Sequence, residues 1–377
     1  MKRVGINATL LGPRAGGIGV YMQQLLEGLP LTNETWQPCF FLTPEVKNQH
    51  TDTSDERFVS FNFSSKNPLL RIPLEALAWR GVLAKQKIDL FHSPISYIPP
   101  GVSGPAVVTV HDLRYFHYPE TYTRLRGKFL EKMIPRSLER AQRIIAVSES
   151  TKQDMIDLFG IDSEKIRVIH EGIHAETFQQ PILEQTAQRV RKAYDLPVDY
   201  LLAVGHLEPR KNYELLFEAV RLLKDEHGIT QHVVIVGQEN WKFESIYERV
   251  KLLNLEHHIH FTGFVADDDL PAVYQMASVF VAPSLFEGFG FTPLEAMAAG
   301  VPTVVSNCTS HPEVCGDAAL YFGPLDRNDL AQTLATVLND NDLCSRLIER
   351  GHNRIKQFSW QTCCQQTADV YLECLKT

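Results

Sequence analysis

The chain has 377 residues, of which 44% are hydrophobic and 22% charged, with a formal net charge of −8. That length suits two domains of roughly 100–200 residues, and the composition is that of a globular protein able to bury a core in each half. The acidic balance excludes general nucleic-acid binding, which needs a basic footprint, and no apolar run reaches the length of a membrane span.

Met1-Lys-Arg precedes an apolar stretch, but Asn7 interrupts it and Gly12-Pro13 ends it, too soon for a signal core. Arg3–Leu10 is therefore expected to be the first strand, with Ile18–Leu29 a helix. Further strands are expected at Phe40–Leu42, Phe58–Phe63, Ile88–His92, Ala106–Val110 and Arg143–Val147, with helices at Pro73–Gln86 and Leu125–Ala141. A second series runs through Tyr200–Val204, His232–Val236, His258–Thr262, Val279–Ala282, Val301–Ser306 and Ala319–Phe322. Such alternation points to parallel sheets with helical crossovers. The fold class expected is α/β, two Rossmann-like doubly wound domains at 1–178 and 179–357. Ser359–Lys376 reads as one terminal helix, and the stretch 358–377 is expected to cross back to the first domain.

The seven cysteines are odd in number and form no C-x2-C pair, which suggests neither a disulfide framework nor a zinc site. A reducing, cytoplasmic setting is the expectation.

Open parallel sheets bind ligands where strands end and helices begin, and several such loops carry unusual residues. Gly16-Gly17-Ile18-Gly19 follows the first strand; its glycines allow close backbone approach, although Met22 stands where a dinucleotide fingerprint would need its third glycine. Gly205-His-Leu-Glu-Pro-Arg210-Lys211-Asn212 puts two cations ahead of a helix for which Asn212 is the expected N-cap. The helix dipole disfavours cations there, which makes sense if a polyanion occupies the site, Arg210 gripping phosphate as a fork and Lys211 as a point charge. A solvated Arg-Lys pair is the plain alternative. Pro283-Ser-Leu-Phe-Glu287-Gly288-Phe289-Gly290-Phe291-Thr292-Pro293-Leu294-Glu295 runs from a strand through a glycine turn into a helix. Thr292 to Glu295 fits a capping box, whereas Glu287 among glycines and aromatics has no such explanation. His111 ends a buried strand, where a histidine contacts substrate, shuttles protons or is simply structural.

Together these segments resemble the GT-B glycosyltransferases, specifically the retaining group called family 4. The E-x7-E pair is Glu287 and Glu295, set in P-S-x-x-E-G-F-G-x-x-x-L-E-A-M-A-x-G, with Gly205, Arg210-Lys211-Asn212, Val234-Ile235-Val236-Gly237 and Phe261-Thr262-Gly263-Phe264-Val265 as further matches. The resemblance implies two domains facing each other across a cleft and a nucleotide-diphosphate sugar as donor substrate, with no cofactor and no metal. By motif, Arg210 and Lys211 hold the donor's diphosphate, Glu295 the ribose, and Glu287 the sugar hydroxyls. Amides of Phe289, Gly290 and Phe291 help, Gly205, Gly237, Gly288 and Thr292 line the site, and Phe264-Val265 lies beside the base. In the first domain Gly16 and Gly17 face the diphosphate and His111 the reaction centre. Hexosyl transfer, of mannose or glucose, to a saccharide or lipid-linked acceptor in polysaccharide assembly is the implied function. A disaccharide-phosphate synthase, a phosphorylase and a catalytically silent sugar-nucleotide binder are the alternatives.

Other signals read more simply. Asp267-Asp268-Asp269 contains a D-x-D, but Leu270-Pro271 makes a turn and helix start the better reading than a metal site. His257-His258-Ile259-His260 suits the start of a strand, and vicinal Cys363-Cys364 suits helix packing. The N-x-S/T matches at Asn33 and Asn307 carry no weight for a cytoplasmic chain. The basic, amphipathic stretch 124–143 suits either a solvated face or contact with an anionic membrane surface.

Overall fold

The computed structural model describes residues 1–12, 16–29, 35–50, 55, 57–61, 68–240 and 242–376. Pro13, Asn33, Asn62 and Phe63 lie outside the described residues. The chain divides into two compact units, Met1–Gly172 with Ser359–Thr377, and Ile173–Phe358.

The first unit holds β1 (Lys2–Asn7), β2 (Trp36–Leu42), β3 (Phe58–Ser60), β4 (Leu90–Ser93), β5 (Ala106–Val110), β6 (Arg143–Ala146) and β7 (Ile166–Val168) in the order β3-β2-β1-β4-β5-β6-β7. All pairings are parallel. The central strand Ala106-Val-Val-Thr-Val110 is buried along its whole length, because helices cover both faces of a parallel sheet and leave no polar alternation. The sequence reading did not anticipate β7, a short strand at the sheet's edge whose three residues carry little apolar signal.

The helix Trp360–Lys376 packs within this unit. Cys364 Sγ donates to the Gln24 carbonyl at 3.3 Å, and a Cβ at Gly28 would fall 2.7 Å from that sulfur. Near the helix's other end Glu373 accepts from Arg143 at 3.0 Å and Arg167 at 3.1 Å. Cys363 and Cys364 are both buried in this packing, and all seven cysteines are free thiols.

The second unit holds β8 (Tyr200–Val204), β9 (His232–Val236), β10 (Ile259–Gly263), β11 (Val279–Ala282), β12 (Thr303–Ser306) and β13 (Leu320–Phe322), ordered β10-β9-β8-β11-β12-β13 and again parallel. In each sheet the strand order reverses once, between β1 and β4 and between β8 and β11. Loops leaving the two strands at such a switch point part to opposite sides and open a crevice. Among the described residues no helix is long and apolar enough to cross a membrane.

Candidate functional site

The loops after β8 and β11 meet at the switch point of the second sheet. The Leu285 amide donates to the Arg210 carbonyl at 2.8 Å and ties them together. Two glycines make the approach sterically feasible: a Cβ at Gly237 would lie 2.0 Å from the Gly205 carbonyl oxygen, and one at Gly205 would lie 2.5 Å from Lys211 Cε. Their role seen here is to let protein pack against protein.

Asn212 does not cap the following helix as expected. It adopts a left-handed conformation, φ 56°, after the short 3-10 turn Pro209–Lys211, and makes no cap hydrogen bond. Its side-chain amide instead donates to the carbonyls of Pro283 at 3.0 Å and Pro324 at 2.9 Å. Asparagine tolerates this backbone region better than most residues, and here it ties the loops after β8, β11 and β13.

Arg210 and Lys211 are not a solvated pair: their side chains are only 10% and 12% exposed. Glu287 joins them. Its Oε2 lies 2.8 Å from Arg210 Nη1, and its Oε1 accepts from Lys211 Nζ at 2.8 Å and Ser284 Oγ at 2.7 Å. Arg210 also donates through Nε and Nη2 to Glu208 Oε1, at 3.0 and 2.7 Å, and Glu208 Oε2 accepts from Asn240 at 3.1 Å. Two cations thus face two carboxylates, which is how buried charge is tolerated. Burial pushes the Glu287 pKa up, but the charges of Arg210 and Lys211 outweigh it and hold the carboxyl well below its ordinary range. Glu287, unexplained in the sequence, is thus the anion at the centre of this cluster.

The loop after β12 holds the Glu287 backbone, and sequence reading gave it no role. Thr309 Oγ1 accepts from the Glu287 amide at 3.0 Å, and Ser310 Oγ donates to the carbonyls of Glu287 at 3.0 Å and Phe289 at 2.6 Å. Thr309 sits at φ 43°, a strained region for a β-branched residue and one concentrated at functional sites. His311, wholly buried, donates from Nδ1 to the Ser306 carbonyl at 3.0 Å. The signal available was positional: Ser306-Asn-Cys-Thr-Ser-His311 leaves a parallel strand at its carboxyl end, as the other two loops do.

The expected capping box is absent. The helix runs Phe291–Ala298 with Gly290, which has no side chain to cap it, at its N-cap, φ 105°. Thr292 and Glu295 therefore sit two positions deeper in the helix than a capping box requires. A helix N-terminus is a ready anion site. Glu295 instead accepts from Tyr274 Oη at 2.6 Å, and burial raises its pKa. Phe289 is buried, its ring edge-on to Phe291 and Phe358 at 5.4 and 5.7 Å. After β10, Phe264 is 63% exposed and Val265 buried, so of that pair only the Phe264 ring is broadly open to contact. Asp269 of the D-x-D is bound by Arg189 and by Tyr194 Oη at 3.0 Å.

In the first unit Gly16 and Gly17 are exposed and belong to the first turn of the helix Gly16–Gly28, which begins two residues before the expected start. A Cβ at Gly16 would meet nothing within 4 Å, so its φ of 58° explains the glycine there. His111, just past β5, has both ring nitrogens engaged: Nδ1 with Glu171 Oε1 and Nε2 with the Pro94 carbonyl, each at 3.0 Å. Burial lowers its pKa, but Glu171 and the carbonyl outweigh that and the net shift is upward. Both partners offer acceptor oxygens, which favours the protonated ring.

Two doubly wound parallel sheets, the second with buried cations and a helix N-terminus at its switch point, define a GT-B architecture suited to binding phosphorylated ligands. The family description "Glycosyltransferase Family 4" matches residues 15–177, and "Glycosyl transferases group 1" matches 184–354. The chain is 32% identical to O-antigen chain mannosyltransferase B of Escherichia coli over 368 residues, 94% of this chain and 95% of that protein. Sucrose-phosphate synthase from Thermosynechococcus elongatus shares the fold at a TM-score of 0.77 and 20% identity, with full coverage of both chains. Anabaena HepE in complex with UDP and glucose aligns at 0.75 and 17% identity over 99% of this chain and 100% of that one. The chain belongs to glycosyltransferase family 4, and it is a GT-B hexosyltransferase of polysaccharide biosynthesis.

Proposed function

We propose that the chain is a retaining, metal-independent mannosyltransferase that takes mannose from GDP-mannose and passes it to a saccharide or lipid-linked acceptor. The observation that carries this is the buried Arg210–Lys211–Glu287 cluster at the switch point of the second sheet, in the same loop that leads into the helix Phe291–Ala298. Its cations suit a diphosphate, and its carboxylate suits sugar hydroxyls. The relative named as a mannosyltransferase supports the choice of sugar.

In this reading the leaving diphosphate gains charge as the glycosidic bond breaks, and Arg210, Lys211 and the helix amides stabilise it where it forms. The leaving oxygen can take the acceptor's proton on the face it departs from, so retention needs no separate side-chain base.

Thermal stabilisation by GDP, UDP, ADP and their sugars, with EDTA present, tests the donor. A selective shift with GDP and GDP-mannose is expected, since a ligand bound only by the folded state raises the melting point. A requirement for added magnesium or manganese would refute metal independence, and an inverted anomer in the product would refute retention. Arg210→Ala should lower transfer far more than it alters folding.

A peripheral membrane contact is proposed at the helix Arg124–Arg140. Its exposed residues include Arg124, Arg126, Lys128, Lys132, Arg136 and Arg140 against Glu131 and Glu139, with Leu125 83% exposed. Basic residues with an apolar anchor suit an anionic surface. Co-sedimentation with phosphatidylglycerol vesicles at low salt, lost in an Arg126→Glu/Lys132→Glu variant, is the expected result. No pelleting of the unmodified chain would remove the idea.

A further inference from the structure

Among the described residues, Nε2 of His311 is a buried polar atom at the second unit's site with no hydrogen-bond partner. Its protonation state follows from the other nitrogen. Nδ1 lies 3.0 Å from the Ser306 carbonyl oxygen, which only accepts, so Nδ1 carries the proton and Nε2 presents a lone pair. The ring is 0% exposed, and burial lowers its basicity, with Lys211 and Arg210 acting in the same direction while Glu287 and the Ser306 carbonyl oppose. It stands neutral among these charges.

The unpartnered edge faces Gly290. A Cβ built there would lie 3.5 Å from His311 Cδ2 and 3.8 Å from Nε2. Gly290 has no side chain, and its φ of 105° with ψ 72° suits glycine above other residues. The group next to the lone pair is thus the turn Gly288-Phe289-Gly290. A buried acceptor without a donor is unusual in native proteins and calls for an explanation. A phosphate has no proton to offer it, and the ammonium and guanidinium nearby are held by Glu287 and Glu208. A sugar hydroxyl is a donor of suitable chemistry.

We propose that His311 is a further residue of the donor site, whose Nε2 accepts a hydrogen bond from one hydroxyl of the donor's sugar. This rests on the GDP-mannose reading above. It makes His311 a specificity residue that acts on the sugar and not on the nucleotide.

The test compares the unmodified chain with His311→Leu and His311→Gln, using GDP, GDP-mannose and the mono-deoxy analogues of GDP-mannose. His311→Leu should lower kcat/KM for GDP-mannose at least tenfold while the Kd for GDP stays within twofold. One deoxy donor should be insensitive to the substitution, because it lacks the hydroxyl concerned. His311→Gln, whose amide oxygen can accept, should recover part of the loss and keeps the test open if the leucine variant does not fold. Equal losses with every deoxy donor, or a loss of GDP affinity in step with the melting temperature, would overturn the proposal in favour of packing. Failure of the unmodified chain to bind GDP or GDP-mannose would overturn the donor reading, and this inference with it.

Discussion

Glu287→Gln should make the second unit less stable and yet bind nucleoside diphosphate more tightly. In the folded chain the carboxylate takes Lys211 and Arg210, each at 2.8 Å, and Ser284 at 2.7 Å, with only 16% of the side chain exposed. Removing one member of a buried ion pair costs about 3–5 kcal/mol. Glutamine keeps one acceptor oxygen, and Arg210 keeps both of its bonds to Glu208, so the expected loss is nearer 2–3 kcal/mol. At about 2–4 °C per kcal/mol for a unit of this size, the melting temperature should fall roughly 5–10 °C. The ligand effect runs the other way. A diphosphate must compete with Glu287 for the same two cations, and the variant leaves only Glu208 opposing them, so GDP affinity should rise about tenfold, or 1.4 kcal/mol. Differential scanning fluorimetry and titration calorimetry with GDP read both effects. A variant that GDP stabilises no more than the unmodified chain would show that the carboxylate does not compete for the anion site. The pH dependence adds a check. The Glu287 pKa is depressed in the fold, so its stabilisation is present above the unfolded value of about 4.3 and disappears as pH falls toward the folded value. The variant should therefore show less acid-side loss below about pH 4.

Three further outcomes follow from the same geometry. Gly237→Ala drives a Cβ to 2.0 Å from the Gly205 carbonyl, and chemical denaturation should show a loss of about 3 kcal/mol or more. Thr309→Val leaves the Glu287 amide without its acceptor at 3.0 Å; a stability loss of about 1–3 kcal/mol with a fall in kcat is expected, and unchanged transfer kinetics would remove Thr309 from the positioning of Glu287. His92, buried between Tyr371 Oη at 2.6 Å and Thr109 Oγ1 at 2.8 Å, has its pKa lowered to about 3, by burial first and the His111 charge second. The unfolded chain then binds a proton there that the folded chain refuses, so stability falls as pH drops below about 6.5. His92→Gln should reduce that slope by about one proton in pH-dependent denaturation.

The α/β class, the two strand series and the loops that carry chemistry were legible in the sequence, because parallel strands buried on both faces read as apolar runs and their carboxyl ends are marked by glycines and charges. The E-x7-E pair and Arg210-Lys211 stood out for the same reason, as polar residues where a core pattern stops. Local pattern failed where a tertiary partner outweighed it. Asn212 and Thr292 had the spacing of N-caps, yet carbonyls at Pro283 and Pro324 claim the first, and the glycine turn begins the second helix two residues early. Charge pairing was likewise invisible: Lys211 and Glu287 are far apart in sequence, and only the strand order β8-β11 puts them 2.8 Å apart. Thr309, Ser310 and His311 gained their roles the same way, since hydroxyls and a ring become a cradle only when β12 lies beside β11. Sequence periodicity reports which face of an element is buried; which loops meet at the sheet's edge is set by strand order, a long-range property that no local window contains.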